Sequence, residues 1–302
     1  MKKQIHRWIE GISRRSGLDA LAQIAIDREL REIRAHAFER TPQNPLVRGF
    51  KVYAQLDEDG IIEAIFEAIG IRSRLFIEIG SGSGLENNTH YLLHKGWRGA
   101  WIEGNPAEVE LLRKLWKPDA ATLARDPDLC VYNGYVDCTN VDAILATCLR
   151  ALGTSGAAGT EIDFLSMDID GNDLSVLGAI SAVRPRAICT EYNPKFPPPL
   201  STEVRLGEGQ SWNGDDFYGA SLQAFVDQLG KLGYVLVCCN ACGNNAFFVD
   251  GSLLAGSALS LYPTRDLYQE ARYHLARKRS GHRASLSYLA RTKIVFMAPS
   301  GS

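Results

Sequence analysis

The sequence has no long apolar run and no secretion signal. Its apolar stretches fall far short of the roughly 20 residues that a transmembrane helix needs. The amino terminus is basic but lacks the apolar core and the small-residue cleavage site of a signal peptide. These absences favour a cytoplasmic protein, and hydrophobic residues at 45% with charged residues at 23% are typical of a folded globular domain.

The sequence also lacks the paired motifs of a zinc site. Of its 7 cysteines, Cys239 and Cys242 have the spacing of half a zinc or redox site, but no second C-x-x-C pair and no paired histidines accompany them. Most of the cysteines lie in apolar runs, as reduced and buried thiols do. We therefore expect reduced thiols and no zinc.

The turn that follows the first strand-like run lacks a glycine at the last position of the dinucleotide-binding pattern. The segment FIEIGSGSGLE (76–86) has glycine at 80, 82 and 84, and Leu85 stands where a dinucleotide-binding turn has its last glycine. Glu78 at the strand end would repel phosphate and suits a cationic or amine-bearing ligand. A second apolar run ends in Glu103, where a ribose needs an acid. Together these features favour S-adenosylmethionine over a dinucleotide.

Apolar, strand-like runs alternate with helical patterns along the middle of the chain. The seven runs cover residues 75–79, 100–103, 130–136, 162–168, 187–192, 234–239 and 245–249. Alternation predicts a parallel, doubly wound sheet, but the link NACGN between the last two runs is too short for a parallel crossover. The predicted fold class is therefore α/β: a Rossmann-like, seven-stranded methyltransferase sheet whose last strand is antiparallel, with helical additions at both ends.

This order divides the chain into three regions. Residues 1–50 are expected to form a helical N-terminal extension, 51–252 the S-adenosylmethionine-binding domain, and 253–302 a basic helical C-terminal extension. The long polar segment 193–220 is expected to be a lid on the acceptor side, because loops of this length in compact domains are usually lids or binding loops. Its candidate contacts are Trp212, Phe217 and Tyr218.

The flanking helices and the chain ends carry further signals. Asp59 and Ser221 are the expected N-caps of two helices that pack on the sheet. Residues 1–48 hold 10 Lys and Arg against 6 Asp and Glu, and residues 265–293 hold 8 against 2. Basic ends on an acidic body suggest peripheral contact with an anionic surface or docking in a homo-oligomer, although solvated helix faces explain them equally well. No nucleic-acid partner is expected.

Acidic side chains follow the fourth and fifth strand-like runs. Asp168, Asp170 and Asp173 follow the fourth run, while Glu191 and Asn193 follow the fifth. The carboxyl ends of neighbouring parallel strands meet at one sheet edge, so these groups should converge. Such a cluster is costly unless it holds a cation or shares protons, and its oxygen atoms suit Mg, Mn or Ca. The metal candidates are Asp170, Glu191 and Asn193.

Other interpretations of these residues stay open. Asp173 would look the same as a helix cap, and Asp168 or Glu191 as a general base without metal. His90 is a further candidate base or a partly buried helix histidine. Asp137 would hydrogen-bond an adenine amino group or cap the helix that follows it.

Beyond these motifs, the sequence resembles the FkbM-type S-adenosylmethionine-dependent methyltransferases. The similar segments are LDEDGIIEAIF (56–66), FIEIGSGSGLENNTHYLLHKGWRGAWIEGNP (76–106), DFLSMDIDGNDLSVLGAI (163–180), PRAICTEYNP (185–194), YGASLQAF (218–225) and GYVLVCCNACGNNAFFV (233–249). The resemblance implies methyl transfer from S-adenosylmethionine to an oxygen atom, often of a sugar or another hydroxylated metabolite. The family's commoner form has glutamate at the position of Asp170.

The leading hypothesis is therefore an O-methyltransferase that acts on a small-molecule or glycan acceptor. The predicted cofactor-binding residues are Glu78, Gly80, Ser81, Gly82, Gly84, Asn88, Glu103, Asp137 and Asp168. The predicted catalytic residues are Asp168, Asp170, Glu191 and His90. Two other hypotheses are a non-catalytic scaffold that docks through its basic ends and a nicotinamide oxidoreductase, against which Leu85 and the final hairpin argue.

Overall fold

The structure, a computed structural model, describes residues 18–115, 128–204, 218–276 and 294–297. Its strands are β1 Leu75–Ile79, β2 Arg98–Glu103, β3 Leu129–Asn133, β4 Thr160–Met167, β5 Val183–Glu191, β6 Tyr234–Cys239, β7 Asn245–Asp250 and β8 Ile294–Met297. They form one sheet in the order β6-β7-β5-β4-β1-β2-β3-β8.

The described helices surround this sheet. They are α1 Leu18–Arg40, α2 Glu58–Ile69, α3 His90–His94, α4 Pro106–Leu115, α5 Val141–Ala151, α6 Asp173–Ala179, α7 Leu222–Lys231 and α8 Thr264–Leu267. Two 3-10 turns, Pro45–Arg48 and Gly251–Leu253, complete the described elements. None of these helices combines the length and the apolar character that crossing a membrane requires.

The direction of the strands confirms the predicted fold class. Strands β1 to β5 run parallel, and β7 lies antiparallel between β5 and β6. The link 240–244 explains this arrangement, because a connection of that length joins only adjacent antiparallel strands. Each of the seven strand-like runs in the sequence overlaps one of the strands β1 to β7.

Strand β8 is the exception, because the sequence analysis does not predict it. It pairs in parallel with β3, from Leu129 opposite Ile294 to Tyr132 opposite Met297. This pairing covers an edge of the sheet that would otherwise expose unpaired backbone groups. The described part of the region 253–302 thus contains the four-residue helix α8 and a strand, where we expected a mainly helical extension.

The sheet is buried on both faces, which holds the strand ends in place. Residues of β1 alternate between two apolar clusters: Leu75, Ile77 and Ile79 belong to one and Phe76 to the other. Helices α5, α6 and α7 cover the first face, and α1, α2, α3 and α4 contribute to the second. All seven cysteines are free thiols and only Cys138 is exposed, as expected of reduced cysteines.

The two predicted helix caps have different outcomes. Ser221 caps α7, since its hydroxyl accepts a hydrogen bond from the backbone N–H of Ala224 at 3.3 Å. Asp59 does not cap α2, which begins one residue earlier, at Glu58. Its carboxylate reaches back and accepts the backbone N–H groups of residues 52, 53 and 54 at 2.6, 2.7 and 3.0 Å. Asp59 therefore fastens the loop before α2 to the helix.

The N- and C-terminal extensions contact each other. Arg40 of α1 forms an ion pair with Asp266 of α8 at 2.6 Å, and Nε2 of His274 lies 2.9 Å from a carboxylate oxygen of Glu29. Some charged groups of the two extensions are thus paired with each other within the chain. Contact with an anionic surface and a homo-oligomer stay predictions.

The segment 193–220, which we expect to be a lid, is described only at its two ends. Residues 205–217 lie outside the described part of the chain, and with them the candidate contacts Trp212 and Phe217. The ends of the segment meet where Glu203 bridges Ala220. Tyr218 is buried beside this bridge, with an exposed fraction of 9%.

Candidate active site

The glycine turn after β1 packs closely against the backbone of neighbouring strands. Gly80 has a φ of 83°, and its N–H donates to the carbonyl of Ile102 at 2.9 Å. A Cβ at Gly80 would lie 1.5 Å from the carbonyl oxygen of Asp168. Glycine is needed here because the chain after β4 passes directly against the turn.

The other two glycines of the turn differ from each other. A Cβ at Gly84 would lie 2.5 Å from the indole ring of Trp101, so this glycine makes room for a buried side chain. Gly82 has a φ of 53° and nothing within 4 Å of its Cβ position. Of the three, Gly82 is therefore the one around which a ligand has space.

The carboxylate of Glu78 holds the segment that follows the turn. It is 5% exposed and accepts the backbone N–H groups of Asn88 and Thr89 at 3.0 and 3.1 Å, together with the hydroxyl of Thr89. Burial raises the pKa of Glu78 to about 7. These bonds satisfy backbone N–H groups just before α3 that would otherwise lack a partner. Glu78 therefore fixes the segment between the glycine turn and α3, and its pKa of about 7 lies close to neutral pH.

Asn88 and its neighbour Asn87 have different surroundings. The amide of Asn88, a predicted cofactor contact, donates to the hydroxyl of Ser166 on β4 at 3.0 Å and thereby ties the loop to the sheet. Asn87 is 4% exposed and lies close enough to Glu78 to lower its pKa, yet its amide has no hydrogen bond of normal geometry within the described residues. The hydroxyl of Ser81, which is 6% exposed, also has no hydrogen bond of normal geometry within the described residues.

Glu103 closes the turn from the end of β2. Its two oxygens accept the N–H of Gly82 at 2.6 Å and that of Asn105 at 2.7 Å. The predicted ribose acid is therefore half-buried beside the open glycine, with each oxygen already holding one backbone donor. A carboxylate oxygen accepts more than one hydrogen bond, so this arrangement leaves capacity for ribose hydroxyls.

Tyr135 is a site residue that sequence reasoning missed. It lies in the loop after β3, its side chain is 77% exposed, and a Cβ at Gly104 would lie 2.6 Å from its ring. The ring thus packs against the backbone that follows Glu103. The only sequence signal was an aromatic residue two positions before Asp137.

Asp137 holds the turn that leads into α5, whose N-cap residue is Asn140. One oxygen of its exposed carboxylate accepts the N–H and hydroxyl of Thr139 at 2.7 and 2.6 Å and the N–H of Asn140 at 3.0 Å. The hydrogen bond from the Thr139 hydroxyl contributes most to lowering the pKa of this carboxyl. Its proposed contact with adenine would therefore use the other oxygen.

The predicted convergence of acidic side chains at the sheet edge is observed. Asp168, Asp170 and Glu191 each offer an oxygen, and these atoms lie within 4.8 Å of one another. Burial raises the pKa of Asp168 to about 8, and the charge of Asp173 adds to the shift. Burial and then the charge of Asp168 raise the pKa of Glu191 well above its ordinary value. These carboxyls must share protons at neutral pH or bind a cation.

Asp173 shapes this cluster without joining it. Its two oxygens accept the backbone N–H groups of Ile169 and Gly171 at 2.9 and 3.0 Å. These bonds hold Asp170 in the left-handed region, with a φ of 56°, which a non-glycine residue adopts only at a cost. Asp173 is the first residue of α6, whose N-cap is Asn172, so it fixes the turn before the helix and is not the N-cap.

Asn193 lies outside the cluster of acidic oxygens. Its amide nitrogen donates to the carbonyl of Tyr218 at 3.0 Å, and its side-chain oxygen accepts the N–H of Lys195 at 3.0 Å. It is fully buried and ties the two ends of the acceptor-side segment together. Asp168, in contrast, offers an oxygen to the cluster. The prediction that Asn193 binds a metal stays a prediction.

His90 is buried against the glycine turn. It is 1% exposed, its Nδ1–H donates to the carbonyl of Gly84 at 2.8 Å, and its ring stacks on that of Tyr53 at 4.1 Å. Burial lowers its pKa to about 3, so the imidazole is neutral. His90 supports the glycine turn from beneath and does not fit the role of a base in the crevice.

Comparison with known proteins finds similarity among solved structures alone. No family model and no curated protein matches the chain. Three of the similar structures are the N-terminal domain of EvdMO1 with SAH bound, a putative caffeoyl-CoA O-methyltransferase from Staphylococcus aureus, and the glycopeptide N-methyltransferase MtfA complexed with sinefungin.

These similarities are distant. EvdMO1 is 14% identical, with 72% of this chain and 94% of that chain covered and a TM-score of 0.39. The S. aureus protein is 14% identical, with 79% and 99% covered and a TM-score of 0.41, and MtfA is 13% identical, with 62% and 83% covered and a TM-score of 0.36. At such values the likeness decides nothing about activity or substrate, which must be argued from the site itself. The FkbM resemblance stays a prediction.

The raised pKa of Asp168 predicts a measurable pH dependence of stability. The folded protein binds this proton more tightly than the unfolded chain does, where the pKa is about 3.9, so its favourable contribution is lost as the pH rises towards about 8. We expect Asp168→Asn to gain stability relative to the wild type between pH 5 and pH 8, by about 1 kcal/mol or more. Urea unfolding at a series of pH values measures this difference.

Asp137→Asn is the matched control. The pKa of Asp137 is lowered, so its stabilising effect is already complete above the ordinary pKa and its difference from wild type should stay flat over the same range. A flat difference for Asp168→Asn as well would contradict the assignment of a raised pKa to Asp168.

Proposed function

We propose that this chain is an S-adenosylmethionine-dependent methyltransferase that methylates a hydroxyl of a sugar, a glycan or a glycosylated natural product. The observation that carries the proposal is the meeting of an open glycine with three acidic strand ends at one sheet edge. Gly82 has free space beside it. Glu78 is the penultimate residue of β1, Glu103 ends β2, and Asp168 follows β4. Open α/β sheets bind their ligands at this edge.

The charge of the crevice favours a cationic ligand. The charges that act on Asp168 are those of Asp173, Asp170 and Glu78, all of the same sign. A sulfonium ion beside such carboxyls is attracted, whereas a pyrophosphate would be repelled. This supports S-adenosylmethionine over a nicotinamide dinucleotide.

Buried polar groups without partners support the same ligand. The hydroxyl of Ser81 and the amide of Asn87 lie in the turn and its continuation, and both lack a hydrogen-bond partner among the described residues. Buried polar groups are nearly always paired, so such groups call for water or a ligand. The amino and carboxylate groups of a methionine moiety offer the donors and acceptors that they need.

The nucleoside would occupy the neighbouring part of the crevice. Glu103 would accept the hydrogen atoms of the ribose hydroxyls, Tyr135 would stack on the adenine ring, and Asp137 would accept from the adenine amino group. The exposed ring of Tyr135 next to Glu103 supports this placement, because aromatic side chains stack on bases without a steric cost.

The acidic cluster would handle the acceptor. The bound cofactor supplies an activated methyl group and a neutral thioether as leaving group. This chain must orient the acceptor hydroxyl and take its proton, and Asp168, Asp170 and Glu191 are the groups placed to do so. A carboxyl whose pKa lies near neutrality is a better proton acceptor than an ordinary one.

The same oxygens fit a divalent cation, which extends the proposal. Asp168, Asp170 and Glu191 form a hard-oxygen donor set of the kind that Mg, Mn and Ca prefer. A cation there would neutralise the repulsion among these carboxylates and lower the pKa of the acceptor hydroxyl. The cation would displace the protons that the carboxyls share, so the affinity of the cluster for the cation should rise with pH.

Tyr135 gives a direct test of the cofactor site. We expect Tyr135→Ala to weaken S-adenosylhomocysteine binding about 5- to 100-fold, the loss that corresponds to stacking one base on an aromatic ring. Tyr135→Phe keeps the ring and should bind as the wild type does. Titration calorimetry measures both, and the exposure of the side chain makes a loss of folding a minor concern. Equal affinity of all three proteins would remove Tyr135 from the site, and no binding by the wild type would end the methyltransferase proposal.

The cation is tested by titrating chelator-treated protein with Mn²⁺. We expect binding that strengthens from pH 6 to pH 8 and that Asp170→Asn abolishes, because the ion displaces protons from the cluster. Asp227→Asn, at a carboxylate bonded to Ser201 and Gln223, is the control and should bind as the wild type does. Absence of Mn²⁺ binding at both pH values would contradict the cation site, and the carboxylates would then act as a base without metal.

A further inference from the structure

The C-terminal extension is fixed against the acceptor side of the sheet edge. We call residues 268–276 the clasp. The N–H of Arg272 donates to the carbonyl of Cys242 at 2.8 Å, and the hydroxyl of Tyr192 donates to the carbonyl of Gln269 at 2.7 Å. The hydroxyl of Tyr268 donates to the carbonyl of Pro194 at 2.6 Å. The clasp is thus bonded both to the end of β5 and to the β6–β7 link.

The contact between the clasp and that link is close. Gly243 has a φ of 77°, and a Cβ there would lie 2.1 Å from the carbonyl oxygen of Glu270. Leu275 anchors the clasp in the apolar core with an exposed fraction of 2%. A segment held by backbone bonds, close packing and a buried leucine presents its remaining side chains in fixed positions.

One of those side chains reaches the acceptor side of the crevice. The hydroxyl of Tyr273 lies 2.9 Å from that of Tyr218, which follows the segment 205–217. Tyr218 is itself fixed, because its carbonyl accepts from the amide of Asn193 two residues beyond Glu191. Tyr273 is 46% exposed, so one face of its ring is open.

The charge of Glu191 acts on both phenols. Burial raises the pKa of Tyr218, and the charge of Glu191 raises it further. Burial likewise raises the pKa of Tyr273, with Glu191 again adding to the shift. Both phenols therefore stay protonated within the field of Glu191, which belongs to the cluster that would receive the acceptor's proton.

We propose that Tyr273 of the clasp and Tyr218 form an acceptor-binding pair that holds one hydroxyl of a vicinal diol while the neighbouring hydroxyl faces Glu191. This assignment rests on the proposed methyltransferase function. It makes the C-terminal extension part of the acceptor site and names the acceptor class as a molecule with adjacent hydroxyl groups, such as a sugar ring.

Hydrogen-bond capacity supports this pairing. When Tyr218 donates to Tyr273, the hydrogen of Tyr273 can go to an acceptor oxygen. When Tyr273 donates, its oxygen can still accept from an acceptor hydroxyl. The open face of its ring can cover the C–H groups of a sugar, as amphipathic aromatic side chains do at wet sites.

The test uses full-length protein saturated with S-adenosylhomocysteine and methyl α-D-mannopyranoside as the probe, because this sugar carries a vicinal diol. Saturation-transfer NMR measures its binding to the wild type, Tyr273→Phe, Tyr218→Phe and Tyr262→Phe. Tyr262 is a matched control, since its hydroxyl bonds Gln43 of the N-terminal extension. The dissociation constant of S-adenosylhomocysteine and the melting temperature are measured for every variant.

We expect Tyr273→Phe and Tyr218→Phe each to weaken glycoside binding about 3- to 10-fold, the range for one lost hydrogen bond. Affinity for S-adenosylhomocysteine and melting temperature should not change, and Tyr262→Phe should match the wild type. Unaltered glycoside binding by both variants, an equal loss in Tyr262→Phe, or no glycoside binding by a wild type that binds S-adenosylhomocysteine would overturn the assignment. A wild type that does not bind S-adenosylhomocysteine would instead refute the proposed function.

Discussion

The structure depends on the burial of several carboxyls of like charge where β1, β4 and β5 end. Burial raises the pKa values of Glu78, Asp168 and Glu191, because it penalises their ionised forms. The charge of Glu78 adds to the shift of Asp168, and the charge of Asp168 adds to that of Glu191. A folded protein keeps such carboxyls only where other interactions offset this free-energy cost or where the carboxyls have a function. Here the support comes from a sheet covered on both faces, and the proposed use is to attract a sulfonium ion and to accept a proton.

The support around these carboxyls is largely backbone. Glu78 takes the N–H groups at the start of α3, Asp173 those of the turn after β4, and Asn193 ties the segment that follows β5. Gly80 lets the turn lie against the carbonyl of Asp168, so two neighbouring strand ends are locked together. The positions of the reacting groups are thus set by strand ends and short turns, which are rigid compared with long loops.

Much of this frame could be predicted because it depends on local pattern and on one rule of topology. The apolar runs gave seven strands, the short link 240–244 required an antiparallel hairpin, and parallel strands leave their carboxyl ends at one edge. Asp168, Asp170 and Glu191 could therefore be grouped from the sequence. Strand β8 could not, because an apolar run at the end of a basic segment does not reveal which sheet edge it will cover.

The roles of individual polar side chains were harder to predict, because these roles depend on which neighbour each side chain meets. Asn87 and Asn88 are chemically identical. Only the tertiary structure shows that Asn88 bonds Ser166, while Asn87 makes no hydrogen bond of normal geometry to the part of the chain that is described. Tyr273 lies far along the chain from Tyr218, and the clasp brings their hydroxyls within 2.9 Å of each other.

The most direct measurement of the central claim is the ratio of affinities for S-adenosylmethionine and S-adenosylhomocysteine at pH 6 and pH 8.5 in the presence of EDTA. The two ligands differ by the sulfonium charge, so ionisation of the buried carboxyls should raise the ratio in favour of S-adenosylmethionine at the higher pH. A ratio that does not change with pH would show that these carboxyls do not face the cofactor's sulfur.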